Sequence, residues 1–438
     1  MSDFTRRDVL KAGVAAGAVA ASSGLILPAS AQELKIEPEK GASLRVLRWK
    51  QFVQGDIDLW TQNTKKFTEK TGINVRVDTE SWEDVRPKAA VAANVNSGPD
   101  IIIGTLDDPH KFPDKLVDIT DLAEYLGKKY GGWFDSARRF GTREGRWIAL
   151  PQGCAGNNVN YRESQVRAAG FDKFPDDLDG FLKLMQALKA KGTPGGFALG
   201  HATGDANNFA HWVVWAHGGK MVDKDNHVVI NSPETIQALE YAKELYQTFV
   251  PGTLTWQDPS NNKAFLSGEL SLTANGISIW YAAKTSQDPK MNEMAKDIQH
   301  AKMPKGKDGK FAVQNLVLQA FLFKYSKYPK AAQEYLRFMW EAEQYEPWQT
   351  AMLGYVSSPL KKYLETPIWT SDPKITPFRD AMDVTRDNGY AGALGFASAA
   401  VIGDFVMVDM VAKAASGAAS AKEAAAEAQS RAERYYKV

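Results

Sequence analysis

The residues able to do chemistry are few and scattered. The chain contains none of the spacings of a nucleophile elbow, a zincin helix, a phosphate-binding loop or a paired CxxC site. Of the six histidines, His201, His211 and His217 share one stretch, but their spacing does not stack them on one helix face as metal ligands require. Asp107 and Asp108 are adjacent acids that suit a solvated turn as well as a site. A glycosidase pair is defined by its separation in space, which spacing along the chain does not give. Cys154 is the sole cysteine and has no base beside it in the sequence, so it reads as a small core residue. These observations point to no catalytic residue, no metal and no cofactor. What the chain does carry is aromatic surface, 12 Trp, 15 Tyr and 20 Phe, which serves either as core or as platforms for a ligand.

The 438 residues suggest two to three domains, with 44% hydrophobic and 24% charged residues, enough to build a core. A net charge of +1 gives no electrostatic case for nucleic acid. The N-terminus reads as an export signal. Arg6 and Arg7 precede Leu10 and Lys11, a weakly apolar Ala/Gly stretch follows, and Ala29-Ser30-Ala31 offers a cleavage pattern. Residues 1–31 are thus expected to be a twin-arginine-type signal peptide. The mature chain is expected to start near Gln32 as a soluble periplasmic protein, without a lipid-anchored cysteine.

Apolar patterning alternates between strand and helix periods. Strands are expected at 44–49, 73–77, 100–103 and 148–151, and helices at 59–71, 85–96, 175–191, 208–216, 233–249, 329–340 and 418–436. The early β-α-β-α-β order predicts an α/β fold. In such sheets ligands meet the loops beyond the carboxyl ends of the strands, here starting at Trp49, Ser81 and Gly104. The stretch 153–160, rich in Gly and Asn, suits a crossover between lobes.

Several segments, in order, resemble one family. They are Ser97-Gly98-Pro99-Asp100-Ile101, the passage from Trp147 to Tyr161, Ala169-Gly170-Phe171 before Pro175, and Asn231-Ser232-Pro233-Glu234 after Gly218-Gly219. Phe265-Leu266-Ser267-Gly268-Glu269 before Asn275-Gly276, and Ser326-Lys327-Tyr328-Pro329, continue the series. Together they resemble the extracellular solute-binding proteins of ABC importers, carbohydrate-binding group. The resemblance implies a two-lobed periplasmic-binding-protein-like fold with hinge crossovers and a ligand cleft between lobes. It implies lobe one at 32–155 and 299–320, and lobe two at 158–298 and 322–438. It also implies a monomer that closes on a small molecule, a sugar or related polyhydroxy compound, and docks on a membrane permease.

A pyranose offers apolar faces to aromatic rings and a hydroxyl rim to amides and carboxylates. On that basis, and by position in the family, the expected ligand residues are Trp49, Gln51, Trp82, Asp107, Asp108, Asn157, Asn207, Asn208, His211, Trp212, Asn275, Trp280, Gln314, Asn315 and Tyr355. Trp49 and Trp82 at strand ends suit cleft or core, and one of Trp212 and Trp215 must face the core. The family often has Gly-Pro-Trp after its FxxGE segment. Here Gly276 leads to Ile277 and Ser278, so either Trp280 takes the stacking role or the pocket differs. Two alternatives stand beside sugar import: a receptor for a polyol or glycerol-phosphate ester, and a secreted carbohydrate-active enzyme.

Overall fold

The fold starts from Ser43–Trp49, whose alternating pattern buries Leu44 and Val46 and runs fully buried from there to Trp49. A computed structural model describes residues 34–437. The expected signal segment lies outside the described residues, and the compact unit that carries both lobes begins at Ile36. In chain order the strands are β1 (Ser43–Trp49), β2 (Asn74–Glu80), β3 (Ile101–Thr105), β4 (Thr142–Arg143), β5 (Arg146–Trp147), β6 (Leu150–Ala155), β7 (Asn158–Arg162), β8 (Leu272–Asn275), β9 (Ile298–Ala301), β10 (Leu316–Leu322) and β11 (Val356–Ser357).

The first lobe is built on a six-stranded sheet of order β11-β6-β10-β3-β1-β2. β1 pairs in parallel with β2 and β3, so all three carboxyl ends reach the same edge. β10 returns antiparallel between β3 and β6. The second lobe has a three-stranded sheet with β7 in the centre. Its core gathers Phe181, Phe197, Phe209 and Trp212 with the C-terminal residues Val401 to Ala432. The α/β, two-lobed architecture matches the expectation.

The chain crosses from β6 to β7 through Gly156 and Asn157 alone, a shorter step than the expected 153–160 loop. Gly153 explains the difference. It sits at φ +136°, and a Cβ there would lie 2.2 Å from the Ser357 carbonyl oxygen, so only glycine lets β6 continue beside β11 past the register shift with β10. A second crossing runs from β9 to β10.

The segment after 322 departs from the expectation that it belongs wholly to the second lobe. Helices Pro329–Trp340 and Ala342–Ala351 pack on helix Gln54–Thr71, and β11 extends the large sheet. Only from Phe396 onward do the helices Phe396–Gly403, Val406–Ser416 and Ala421–Glu433 join the second lobe's core, while the first of these also touches the segment Asp108–Lys111. The physical reason is edge pairing. Trp340 Nε1 donates to the Pro151 carbonyl at 2.8 Å and Tyr345 Oη to that of Gln152 at 2.7 Å, which ties both helices to β6.

Helix Gln54–Thr71 starts five residues before the apolar pattern predicts. Its first turn is held by tertiary contacts. Arg48 on β1 donates to Asp56 at 2.7 Å with both side chains almost fully buried. The Arg48 guanidinium lies 4.2 Å from the Trp60 ring centroid, and Trp348 Nε1 donates to the same carboxylate at 2.8 Å. Asp56→Ala strands a buried arginine and is expected to cost about 3–5 kcal/mol, read from urea unfolding, while Arg48→Met with Asp56→Leu loses much less. An Asp56→Ala cost below about 1 kcal/mol, the scale of a surface pair, contradicts this reading.

Candidate functional site: a cleft between two sheets

The parallel strands deliver the first wall. Trp49 ends β1, Trp82 opens the helix Trp82–Val95 just after β2, and Leu106 follows β3. Trp49 and Trp82 stack with ring centroids 4.0 Å apart and planes 24° from parallel. Phe52 meets Trp49 edge-on at 5.2 Å, and Tyr355, from the loop before β11, lies 6.1 Å away. The second lobe supplies Thr203, Gly204, Asp205 and Asn208 around the start of helix Asp205–Ala216. Asp258 comes from the start of helix Asp258–Leu266, and Asn275 and Gly276 from the end of β8. The crossings supply Ala155, Gly156, Asn157, Gln314 and Leu316.

These residues enclose a cavity of about 30 Å³, room for a water or two and well short of the ~300 Å³ of a small-molecule site. The walls must therefore part before a sugar ring can enter. Past Trp82 and Thr203 the space opens into a groove of about 550 Å³ that runs between Arg86 and Lys111 on one lobe and His201 and Phe405 on the other.

Asp258 is the pivot of the second wall. Its carboxylate accepts from the backbone N–H of Gly204 at 3.1 Å and of Asp205 at 2.8 Å, capping helix Asp205–Ala216 from a distant part of the chain. Burial pushes its carboxyl up to about 6, against the pull of these donors, and the charge of Glu83 adds to the rise. Burial and the neighbouring Asp258 also raise Asp205 well above the usual carboxylate range. Asn157 Oδ1, Asn208 Oδ1 and Gln314 Nε2 are buried without a hydrogen-bond partner. A buried amide left so costs ~1–3 kcal/mol, which a hydroxylated ligand can recover.

Of the expected ligand residues, Trp49, Trp82, Asn157, Asn208, Asn275, Gln314 and Tyr355 line the cavity. The others lie elsewhere. Trp212 is fully buried in the second lobe's core, its Nε1 donating to the Pro304 carbonyl at 3.0 Å. Trp280 packs edge-on to His300 with Lys284 4.3 Å from its ring and does not line the cavity. His211 bonds the Asn207 carbonyl and Asn388, and Asn207 donates to the Thr203 carbonyl, as internal contacts of the helix and its neighbour. Asn315 braces the crossings, and Gln51 is buried off the cavity with its Oε1 unpartnered. Asp108 is taken by Arg86 at 2.8 Å. Burial would raise its carboxyl, but Arg86 and Lys111 outweigh that and hold it low. Asp107 is buried against the Asp387 and Ser398 region with both oxygens lacking a hydrogen-bond partner. Burial, then the charge of Asp387, pushes it up to about 7.

Sequence reasoning missed Thr203, Asp205 and Asp258. Both acids open helices, where an acidic first turn is expected for the helix dipole alone, so nothing local marks them as cleft residues.

Two lobes joined by short crossings, with a polar and aromatic cleft between them, define the binding-protein class of fold. The family described as bacterial extracellular solute-binding protein matches residues 62–377, and the chain belongs to it. The diacetylchitobiose-binding protein DasA of Streptomyces coelicolor is 24% identical over 213 residues, 47% of this chain and 48% of that protein. The chain spans about half the length of the curated relatives it matches. Among solved structures, a sugar transporter protein of Arthrobacter chlorophenolicus with bound laminaribiose is 17% identical at a TM-score of 0.77, covering 90% of this chain and 99% of that one. A solute-binding protein of Agrobacterium radiobacter in complex with ribitol is 17% identical at a TM-score of 0.74, covering 91% and 100%.

The unpartnered Asp107 has a measurable consequence. The folded chain keeps its proton up to about pH 7, while the unfolded carboxyl releases it near its usual 3.8. The folded state thus holds more protons between those values, and its stability falls as pH rises through that window. Asp107→Asn is expected to raise the melting temperature at pH 8 by several degrees and leave it little changed at pH 4. Equal shifts at both pH values contradict this assignment.

Proposed function

We propose that this chain is the substrate-binding component of an ABC importer, taking a sugar or polyol in the cleft and presenting it to permease subunits in the membrane. The observation that carries the reading is the Trp49–Trp82 stack facing unpartnered amide atoms across an interlobe cavity. Rings cover the apolar faces of a hydroxylated ligand, and Asn157, Asn208 and Gln314 meet its rim. The relatives that bind diacetylchitobiose, laminaribiose and ribitol support this ligand class. The protein binds and releases without making a bond. It acts as an exported monomer in the periplasm, reached through the twin-arginine signal at residues 1–31. Among the described residues no helix is long and apolar enough to cross a membrane.

Entry requires the lobes to part, with Gly156–Asn157 as hinge, and the ligand then biases the equilibrium toward closure because it touches both walls. The test is thermal unfolding of the purified chain against a panel of sugars and polyols. A ligand at 100 times its Kd adds ~2.7 kcal/mol of stability, a clear rise in melting temperature. Trp82→Ala is expected to weaken that ligand about tenfold, by loss of the stacking surface. Release of a cleaved product, or no shift across the panel, overturns the proposal.

A further inference from the structure

The cavity has an unusual charge inventory. Its lining includes four aromatic rings (Trp49, Phe52, Trp82 and Tyr355) and two acids (Asp205 and Asp258), with no Lys, Arg or His among them. Three other buried acids hold an arginine, whereas Asp107 does not. Asp56 has Arg48 at 2.7 Å, Asp108 has Arg86 at 2.8 Å, and Asp387 pairs with Arg139. Among the described residues neither Asp205 nor Asp258 has an ion-pair partner. Asp258 is 4% exposed and its oxygens are met by neutral backbone donors. Asp205 lines the cavity with the neutral Asn261 side chain as its hydrogen-bonding neighbour, at the positive end of a helix that offsets part of its charge.

The charges around the cavity leave this excess uncorrected. Glu83, on the rim at Trp82, is a third acid. The nearest cations of the outer groove, Arg86 and Lys111, are committed to Asp108, and the His201 ring hydrogen-bonds Asp409 at 2.8 Å. Lys50 lines the adjoining groove together with Glu80, Glu83 and Asp258, without an ion pair to any of them, and is absent from the lining of the cavity itself. The orphaned polar atoms lean the same way. Asn157 Oδ1 and Asn208 Oδ1 are acceptors seeking donors, against one orphaned donor, Gln314 Nε2. An ammonium brings three donors and no acceptor, and aromatic faces attract it further.

We propose that the ligand is a polyhydroxy compound bearing a protonated amine, an amino sugar or amino-polyol, whose ammonium is met by Asp205 between the Trp49–Trp82 wall and Asp258. The proposal rests on the binding-protein reading and narrows its ligand class. Such a ligand supplies the missing countercharge at closure. In the free protein burial and Asp258 hold the Asp205 carboxyl well above the usual carboxylate range, so the incoming ammonium displaces a proton from the pair, and its affinity falls as pH drops.

The test uses pairs of a neutral sugar and its amine-bearing counterpart, glucose with glucosamine and N,N′-diacetylchitobiose with chitobiose, titrated calorimetrically into the purified chain at pH 7.5 and pH 5. The expected result is that within at least one pair the amine member binds ten times or more tighter at pH 7.5, that the advantage shrinks at pH 5, and that Asp205→Asn removes it. The wild-type titrations stand without the variant. Binding of neutral members as tight as or tighter than that of their amines overturns the inference while leaving the sugar-binding reading in place. An advantage that survives Asp205→Asn overturns the role given to Asp205. No binding by any of the four overturns the inference and the sugar-binding reading together.

Discussion

Asn315 ties together the segments through which the chain passes between the lobes. Its Oδ1 accepts from the Asn157 backbone at 2.8 Å, on the step from β6 to β7. Its Nδ2 donates to the Ala381 carbonyl and its backbone N–H to Thr385 Oγ1, both at 2.8 Å, on the stretch that returns toward the second lobe. Asn315 itself belongs to the path from β9 to β10. One buried amide thereby fixes where three strands of covalent chain converge, and the cavity floor of Gly156, Asn157 and Gln314 is built on that point. An amide suits the task because it donates and accepts at once. Expected at the ligand, Asn315 is engaged in these bonds and does not line the cavity.

With the floor fixed, the walls follow from topology. Three parallel strands end at one edge and project Trp49, Trp82 and Leu106. Facing them, Asp258 holds the first turn of helix Asp205–Ala216 by its backbone N–H groups. The arrangement leaves polar atoms buried and unpaired in a cavity too small for a ligand. In energetic terms the narrow cleft carries costs that a bound molecule removes, which is the condition for a ligand to favour closure. Away from the cleft the reverse holds: the buried acids Asp56 and Asp108 are already paired with arginines and ask nothing of a ligand.

Much of this was legible in the residues, and the illegible parts share a cause. Strands β1 to β3 announce themselves by alternation or by a short apolar run, and residues just past such strands must lie at an edge, so Trp49 and Trp82 could be placed at the cleft. Tryptophans on helices could not be placed, since a helix can turn either face inward, and Trp212 and Trp280 went to the core. Asp205 and Asp258 look like ordinary helix starts. The helices Pro329–Trp340 and Ala342–Ala351 have clear patterns, yet their lobe is decided by hydrogen bonds from Trp340 and Tyr345 to β6, contacts far apart in sequence.

A hydroxylated ligand is expected to enter between the two walls once they part and to hold both lobes around it. Hydrogen–deuterium exchange, with and without the sugar or polyol that stabilises the chain most, tests it directly. Protection is predicted together at Leu106, at Gly156–Asn157, at 203–208 and at 275–276, on both walls and the floor at once. Protection confined to one lobe, or to a surface away from these segments while binding is saturated, would contradict the account.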